Sequence, residues 1–195
     1  MMIIPELETE RLYLRGIEPK HIPAYQQAFA HYEVIRFLND QVPWPYPENG
    51  VDEYMREHVF PHQGKTRWLW CIFPKEQPGT LIGAIELLRD GNPANRGFWL
   101  TPAHQGRGYM TEAAIVTTDF AFDQLGFEKL VLENAANNIQ SARIKEKSGA
   151  RLVRREPQRY VDPNLTIAEI WELTKEDWQH FKKQHLSKPS PPPPA

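Results

Sequence analysis

A chain of 195 residues, 41% hydrophobic and 25% charged, is long enough for one domain with a real core and has ordinary globular composition. Its formal net charge of −2 lacks the basic excess of a typical nucleic-acid binder, so no direct nucleic-acid partner is expected. No apolar run is long enough for a membrane span, and the start MMIIPELETERLYLRG lacks the flank and stretch of a signal peptide, so the cytoplasm is the default compartment. The single Cys71 excludes an internal disulfide; within WLWCIF it reads as a small buried side chain. No Cys/His cluster has zinc spacing, so no metal site is expected.

In chain order, Arg11–Ile17 reads as a first strand. Pro19 suits the first turn of a helix, whose apolar face carries Ile22, Tyr25, Phe29 and Ala30. Asn39–Gly50, with three prolines interleaved with Trp44 and Tyr46, is a loop, and Val51–His58 a second helix. Arg67–Phe73 and Thr80–Leu88 read as strands joined by hairpin chemistry in PKEQPGT. Arg96–Pro102 is a fourth strand that must stop by Pro102. A glycine loop follows, then a helix over Tyr109–Leu125 with Gly126 as its stop. Lys129–Glu133 is a fifth strand. Asn138 caps a short helix running to Ser148, and the segments ARLVRR and AEIWELT are two more strands. The reading is one α/β domain over 1–186, with a mixed, mostly antiparallel sheet of about seven strands flanked by helices. Residues 187–195, SKPSPPPPA, read as a solvated tail prone to polyproline conformation.

The chemistry concentrates in HQGRGYMTEAA (His104–Ala114), where a strand ends at a glycine turn that opens a helix. Such a turn offers free N–H groups at a positive dipole end and can bind phosphate. It is not a Walker A loop, because GRGY stands where GK[ST] is required, and it lacks the third glycine of a dinucleotide fingerprint. A pyrophosphate-binding turn of an acyl-CoA-dependent transferase remains, beside an ordinary strand–helix turn.

The motif QGRGYMTEAA resembles the Q/R-x-x-G-x-G/A signature of the GNAT N-acetyltransferases, with Gln105 at the Q/R place, Gly108 at the fixed glycine and Met110 departing from Gly/Ala. Downstream, NNIQSARIKEKSGARLV resembles the family's N-x-x-S-x-x-V-x-E-K-x-G-F segment, with Ala150 replacing the aromatic. ETERLYLRGI and VPWPYPENGVDEYM resemble the RimJ/RimL-like branch, which acetylates N-terminal amines, including those of ribosomal proteins. The resemblance spans Leu7 to Trp178.

It implies acetyl-CoA as cofactor and a primary amine as acceptor. Gly106, Arg107, Gly108, Tyr109, Met110 and Thr111, with Gln105, are then the diphosphate turn, acting mainly through N–H groups. Arg107 either adds charge beside a phosphate or is a solvated side chain. Phe98, Trp99 and Leu100 match the strand that meets the pantetheine arm, and Trp99 is equally a core or lid residue. Asn138 matches the CoA-contacting asparagine and is also a helix cap. Ser141 matches a residue that contacts the thioester sulfur or protonates the leaving thiolate; otherwise it only supports the cap. Met110 is expected to give its backbone to the cofactor and its side chain to the core, because it shares helical spacing with Ala113, Ala114 and Thr117.

Attack on a thioester needs a neutral amine. At pH 7 deprotonation costs about 4–5 kcal/mol for a lysine amine but only about 1 kcal/mol for an α-amine. No His–Asp pair stands out in the motif region, so a weak base and an N-terminal α-amine acceptor fit best. Glu86 is the first carboxylate candidate for the base and Glu133 the second, each equally readable as a solvent-side strand residue; His104 reads as a loop surface residue. A small amine acceptor (aminoglycoside, polyamine or amino acid) and a catalytically silent acyl-CoA-binding module are the alternatives. The assembly, monomer or homodimer, stays open.

Overall fold

A computed structural model describes residues 4–91 and 94–186; the proline-rich 187–195 segment lies outside the described residues. The chain opens with two short strands, β1 (Leu7–Glu8) and β2 (Leu12–Gly16). A 3-10 turn at Pro19–His21 leads into α1 (Ile22–Phe29), followed by α2 (Tyr32–Ile35) and α3 (Gly50–Tyr54), which continues as a π-helical turn over Met55–Val59. Next come β3 (Arg67–Pro74), β4 (Gly83–Leu88), β5 (Arg96–Leu100), α4 (Tyr109–Asp123) and β6 (Lys129–Ala135). The chain continues through α5 (Ile139–Glu146), β7 (Arg151–Pro157), β8 (Ile167–Thr174) and α6 (Lys175–His185).

The strands form one eight-stranded sheet in the order β1-β2-β3-β4-β5-β6-β8-β7. Every neighbouring pair is antiparallel except β5–β6. The hairpins of the first half and the strand–helix–strand passage through α4 explain this mixture, since only a crossover can return a strand in the parallel sense. The sheet has one strand more than expected, because the two-residue β1 carries too little pattern to read.

β3 shows why both faces are covered. Its alternate side chains Trp68, Trp70 and Ile72 join the core cluster under α4, with Met110, Ala113, Ala114 and Phe122. Leu69, Cys71 and Phe73 join the cluster on the opposite face, with Tyr25, Phe29, Val51 and Met55. The whole strand is buried, and a continuous apolar run is what a strand between two layers requires. Cys71 is a fully buried free thiol. β4 starts at Gly83, three residues after the expected Thr80, and β6 runs two residues past Glu133. α6 follows a segment read only as strand. Thr174 caps it by accepting from the Asp177 N–H, and its Trp178 indole donates to Asp119 of α4 at 2.9 Å.

One join in the sheet is weak. β5 and β6 pair only at Arg96–Leu132, whereas β6 pairs with β8 along its full seven residues. Asn95 fastens the start of the join: its N–H donates to the Val131 carbonyl at 2.7 Å, and its side-chain Oδ1 accepts from the Val131 N–H at 2.8 Å. Beyond Arg96 the two strands part, and a cleft opens between them.

Candidate active site

The cleft has a volume of about 890 Å³. β5 supplies one wall through Gly97, Phe98, Trp99 and Leu100, and β6 the other through Glu133, Asn134 and Ala135. Gln105, Gly106, Gly108, Tyr109, Met110 and Thr111 line the end nearest α4, while Asn138, Ser141 and Ile144 line the α5 side. Glu86, Tyr54 and Arg67 also reach it. The structure brings the expected cofactor and catalytic residues to the lining of one cleft except Arg107, and His104 also lies off it.

At the loop end, Gly106 and Gly108 adopt left-handed backbone with φ of 73° and 82°. A Cβ at Gly106 would meet nothing within 4 Å, so its conformation, not crowding, calls for glycine. Gly108 is the N-cap of the fifteen-residue α4, and no side chain caps that helix. The first-turn N–H groups of Tyr109, Met110 and Thr111 have no intrahelical acceptor. Together with the dipole they form an anion-binding turn of the kind a CoA diphosphate fits.

A clamp from the turn between β1 and β2 holds the glycine loop. Arg11 donates through Nη2 to the Arg107 carbonyl at 3.0 Å and through Nε to Glu112, and its guanidinium lies 4.7 Å from the Tyr109 ring centroid. Thr9 donates to the second Glu112 oxygen at 2.7 Å. Glu112 sits in the first turn of α4, where it would repel a phosphate. Its engagement by Arg11 offsets that charge. Gln105 is a brace as well as a lining residue, donating to the Leu100 carbonyl at 3.0 Å. Met110 is 5% exposed, with its side chain in the core cluster. Trp99 packs toward the α1 face, donating to the Tyr25 hydroxyl at 2.9 Å. His104 pairs with Thr101 at 2.7 Å and does not line the cleft; burial and Arg107 lower its pKa.

The other end carries the ionisable groups. Glu86 faces Gly97 across the β4–β5 pair, and a Cβ at Gly97 would lie 3.2 Å from Glu86 Oε1. The missing side chain makes room for this carboxylate at the cleft. Glu86 Oε2 is held by Arg67 at 2.6 Å from Nη2, and Arg67 also donates to the Tyr54 hydroxyl at 2.7 Å. Glu133 Oε1 accepts from the Tyr160 hydroxyl at 2.8 Å. Burial, then the charge of Glu133, raises the Tyr160 pKa above its ordinary value.

On α5, Asn138 caps the helix: its Oδ1 accepts from the Ser141 N–H at 3.2 Å. Ser141 is buried, and its Oγ accepts from Lys145 Nζ at 2.7 Å. Lys145 is itself only 2% exposed, and its ammonium lies 5.3 Å from the Phe98 ring centroid. Burial, and then Arg96, holds its pKa well below the usual lysine value, against an opposite pull from Glu133 and Glu169. Arg96 is buried at the point where β5 and β6 meet. It donates to Thr118 at 3.1 Å, its Nε and Nη2 have no hydrogen-bond partner among the described residues, and burial pushes its pKa down to about 10.

Sequence reasoning missed Arg11, Arg67, Arg96 and Lys145. Lys145 follows Ser141 by four residues, so the helical spacing was a usable signal. Arg67 and Arg96 come from distant strands and Arg11 from the turn between β1 and β2, and none of them carries a local one. Among the described residues no group of three or more His, Cys, Asp or Glu side chains could hold a metal, and no helix is long and apolar enough to cross a membrane.

Comparison with known proteins agrees with this geometry. A spermidine N-acetyltransferase from Vibrio cholerae, solved with CoA and spermine, superposes with a TM-score of 0.72 at 15% identity, covering 88% of this chain and 99% of that one. A ribosomal-protein-S5-alanine acetyltransferase from Vibrio fischeri gives a TM-score of 0.75 at 17% identity, covering 90% and 99%. At these identities the likeness shows the fold alone. Over 96 residues the chain is 32% identical to the Bacillus subtilis (strain 168) protein named "Probable N-acetyltransferase YjcK"; the match covers 47% of this chain and 50% of that protein, so the chain spans about half the length of this curated relative. The family model of the acetyltransferase (GNAT) domain matches residues 11–151, most of the strands and the whole glycine loop, and the chain therefore belongs to the GNAT acetyltransferase family.

Proposed function

We propose that the protein is an acetyl-CoA-dependent N-acetyltransferase whose acceptor is a primary amine, and that this acceptor is a protein or peptide N-terminal α-amine, as in the RimJ/RimL-like branch. The observation that carries this reading is one continuous cleft. It has an uncapped helix start and two left-handed glycines at one end, and Ser141 and Glu86 farther along.

When bound, acetyl-CoA supplies an acetyl thioester activated toward amines. Gly106 to Thr111 would hold its diphosphate through backbone N–H groups, and the part of β5 left unpaired on its β6 side would meet its pantetheine arm. Transfer forms a C–N bond and breaks a C–S bond, while one proton leaves the amine and one reaches the departing sulfur. The Ser141 hydroxyl would hydrogen-bond the sulfur as negative charge gathers there. Glu86 takes the amine proton, directly or through water. Its Oε2 is engaged by Arg67, and its Oε1 faces Gly97. An α-amine needs only about 1 kcal/mol for deprotonation at pH 7, so that base suffices.

A second acceptor class has a specific observation in its favour. Glu33, Glu86 and Glu133 line the cleft beside Arg67, Arg96, Arg143 and Lys147, and these carboxylates offer partners to the ammonium groups of a small polyamine. Thiol release measured with a panel of N-terminal peptides, lysine-only peptides and polyamines separates the two. The α-amine reading expects the peptides with free N-termini to turn over fastest, and turnover confined to polyamines would replace it. Calorimetry with CoA runs alongside. Tight binding without turnover on any amine identifies an acyl-CoA-binding module instead.

A further inference from the structure

Lys145 is a buried lysine on α5 whose Nζ donates to the cleft residue Ser141, and nothing in the reaction as described uses it. It is 2% exposed, yet it forms no ion pair within 4.0 Å among the described residues. Among the described residues its Nζ makes polar contact with Ser141 alone, donating to Oγ at 2.7 Å and approaching the carbonyl at 3.5 Å. The charged groups that face it come from three strands, Arg96 on β5, Glu133 on β6 and Glu169 on β8. Removing a lysine from water costs several kcal/mol, and one neutral hydroxyl is poor compensation. A side chain retained at such a cost, in contact with a cleft residue, asks for a functional reason.

The donor inventory of the pair supplies one. A serine hydroxyl has one hydrogen and two acceptor sites, whereas a lysine ammonium only donates. With Lys145 donating into Oγ, the Ser141 hydrogen cannot point at Lys145. The Ser141 main chain is fixed by the Asn138 cap, and the residue lines the cleft. The open direction for the hydrogen is the cleft. We propose that Lys145 is a positioning residue for acyl transfer: its N–H donation into Ser141 Oγ turns the Ser141 hydroxyl toward the cleft, where the thiol departs. The inference rests on the reading of Ser141 given above. It adds a residue that acts only through Ser141 and never touches the substrate.

The test is a double-mutant cycle with Ser141→Ala, Lys145→Met and the pair, plus Lys145→Gln, which keeps an N–H donor without the charge. Lys145→Met is expected to lower kcat by about tenfold, the scale of one lost hydrogen bond. The KM for acetyl-CoA and the calorimetric Kd for CoA should change less than about twofold. In the Ser141→Ala background Lys145→Met should have no further effect, because its route of action is gone. Lys145→Gln should keep more turnover than Lys145→Met. The ligand-free Lys145→Met protein should melt at or above the wild-type temperature, since an apolar side chain of similar shape replaces a desolvated charge. Wild-type turnover in Lys145→Met, multiplicative losses in the double variant, or a lowered melting temperature that tracks the loss of activity would each overturn the positioning role. If Ser141→Ala alone retains full turnover, the reading of Ser141 falls and takes this inference with it. If Ser141→Ala is slow while Lys145→Met is not, only the inference falls.

Discussion

Two glycines and a methionine in the same turn illustrate how little of a phosphate loop is side chain. Gly106 and Gly108 sit at positive φ, where a Cβ costs about 1–2 kcal/mol. Gly108→Ala would also bring a methyl to 3.1 Å from Arg11 Nη2, which holds the loop carbonyl. This variant is expected to bind CoA more weakly by calorimetry while the core melts nearly as before. Unchanged CoA affinity would remove the turn from the cofactor site. Met110 behaves in the opposite way. Its thioether is in the core, so Met110→Ala should cost about 2–5 kcal/mol of stability in denaturant melts with little change in CoA affinity at temperatures where the protein is folded. A large affinity loss without a stability loss would place the side chain at the diphosphate instead.

At the scale of elements, the cleft exists because β6 chooses β8 over β5. Asn95 marks where the choice is made. Its side chain receives the Val131 N–H and donates to the Leu88 carbonyl at 3.0 Å, linking β4, β5 and β6 at one residue. Asn95→Ala should cost about 1–3 kcal/mol, mostly from the stranded Val131 N–H. Hydrogen exchange should quicken at Val131 first, and unaltered protection there would show that the join is held by other bonds. A second tie links α2 to the turn before β8. The Asp162 carboxyl accepts from the Asn164 N–H at 3.0 Å and from Arg36 at 2.6 Å, and these contacts, Asn164 first, lower its pKa. A lowered carboxylate stabilises the fold above its unfolded pKa, and the contribution disappears as pH falls through the folded value. Asp162→Asn should therefore melt below wild type at neutral pH, and the gap should close under strongly acid conditions. A gap that persists at low pH would mean that the loss is steric rather than electrostatic.

The molecule as a whole is a sheet buried on both faces, and Cys71 reports on its integrity. The thiol is fully buried on β3, and burial raises its pKa above the ordinary thiol value. Alkylation should proceed only through unfolding, and labelling should slow when acetyl-CoA is added. At about 100 times Kd the ligand contributes about 2.7 kcal/mol of stability, provided only the folded state binds it. Labelling of the native protein as fast as the denatured chain would contradict the buried placement, and indifference to acetyl-CoA would contradict cofactor binding.

Much of this was written locally. The continuous apolar run WLWCIF, the stop at Pro102, the glycine turn at Gly106 and Gly108, the Met110–Ala113–Ala114 stripe and the Asn138 cap all follow from neighbours within one or two turns. For that reason the strands, the glycine loop and the cap could be read from residue order. β1 and α2 were too short to show a period, and α6 buries one face of an otherwise polar segment. The partners of the site had no such trace. Arg11 meets Glu112 across 101 residues and Arg67 meets Glu86 across 19, and these pairings depend on register and crossover. Local sequence determined which segments bend, cap and alternate, because those preferences act over a few bonds. Tertiary structure decided that β5 and β6 part after Arg96 and which cations brace the site, because strand pairing and burial arise only when distant segments meet.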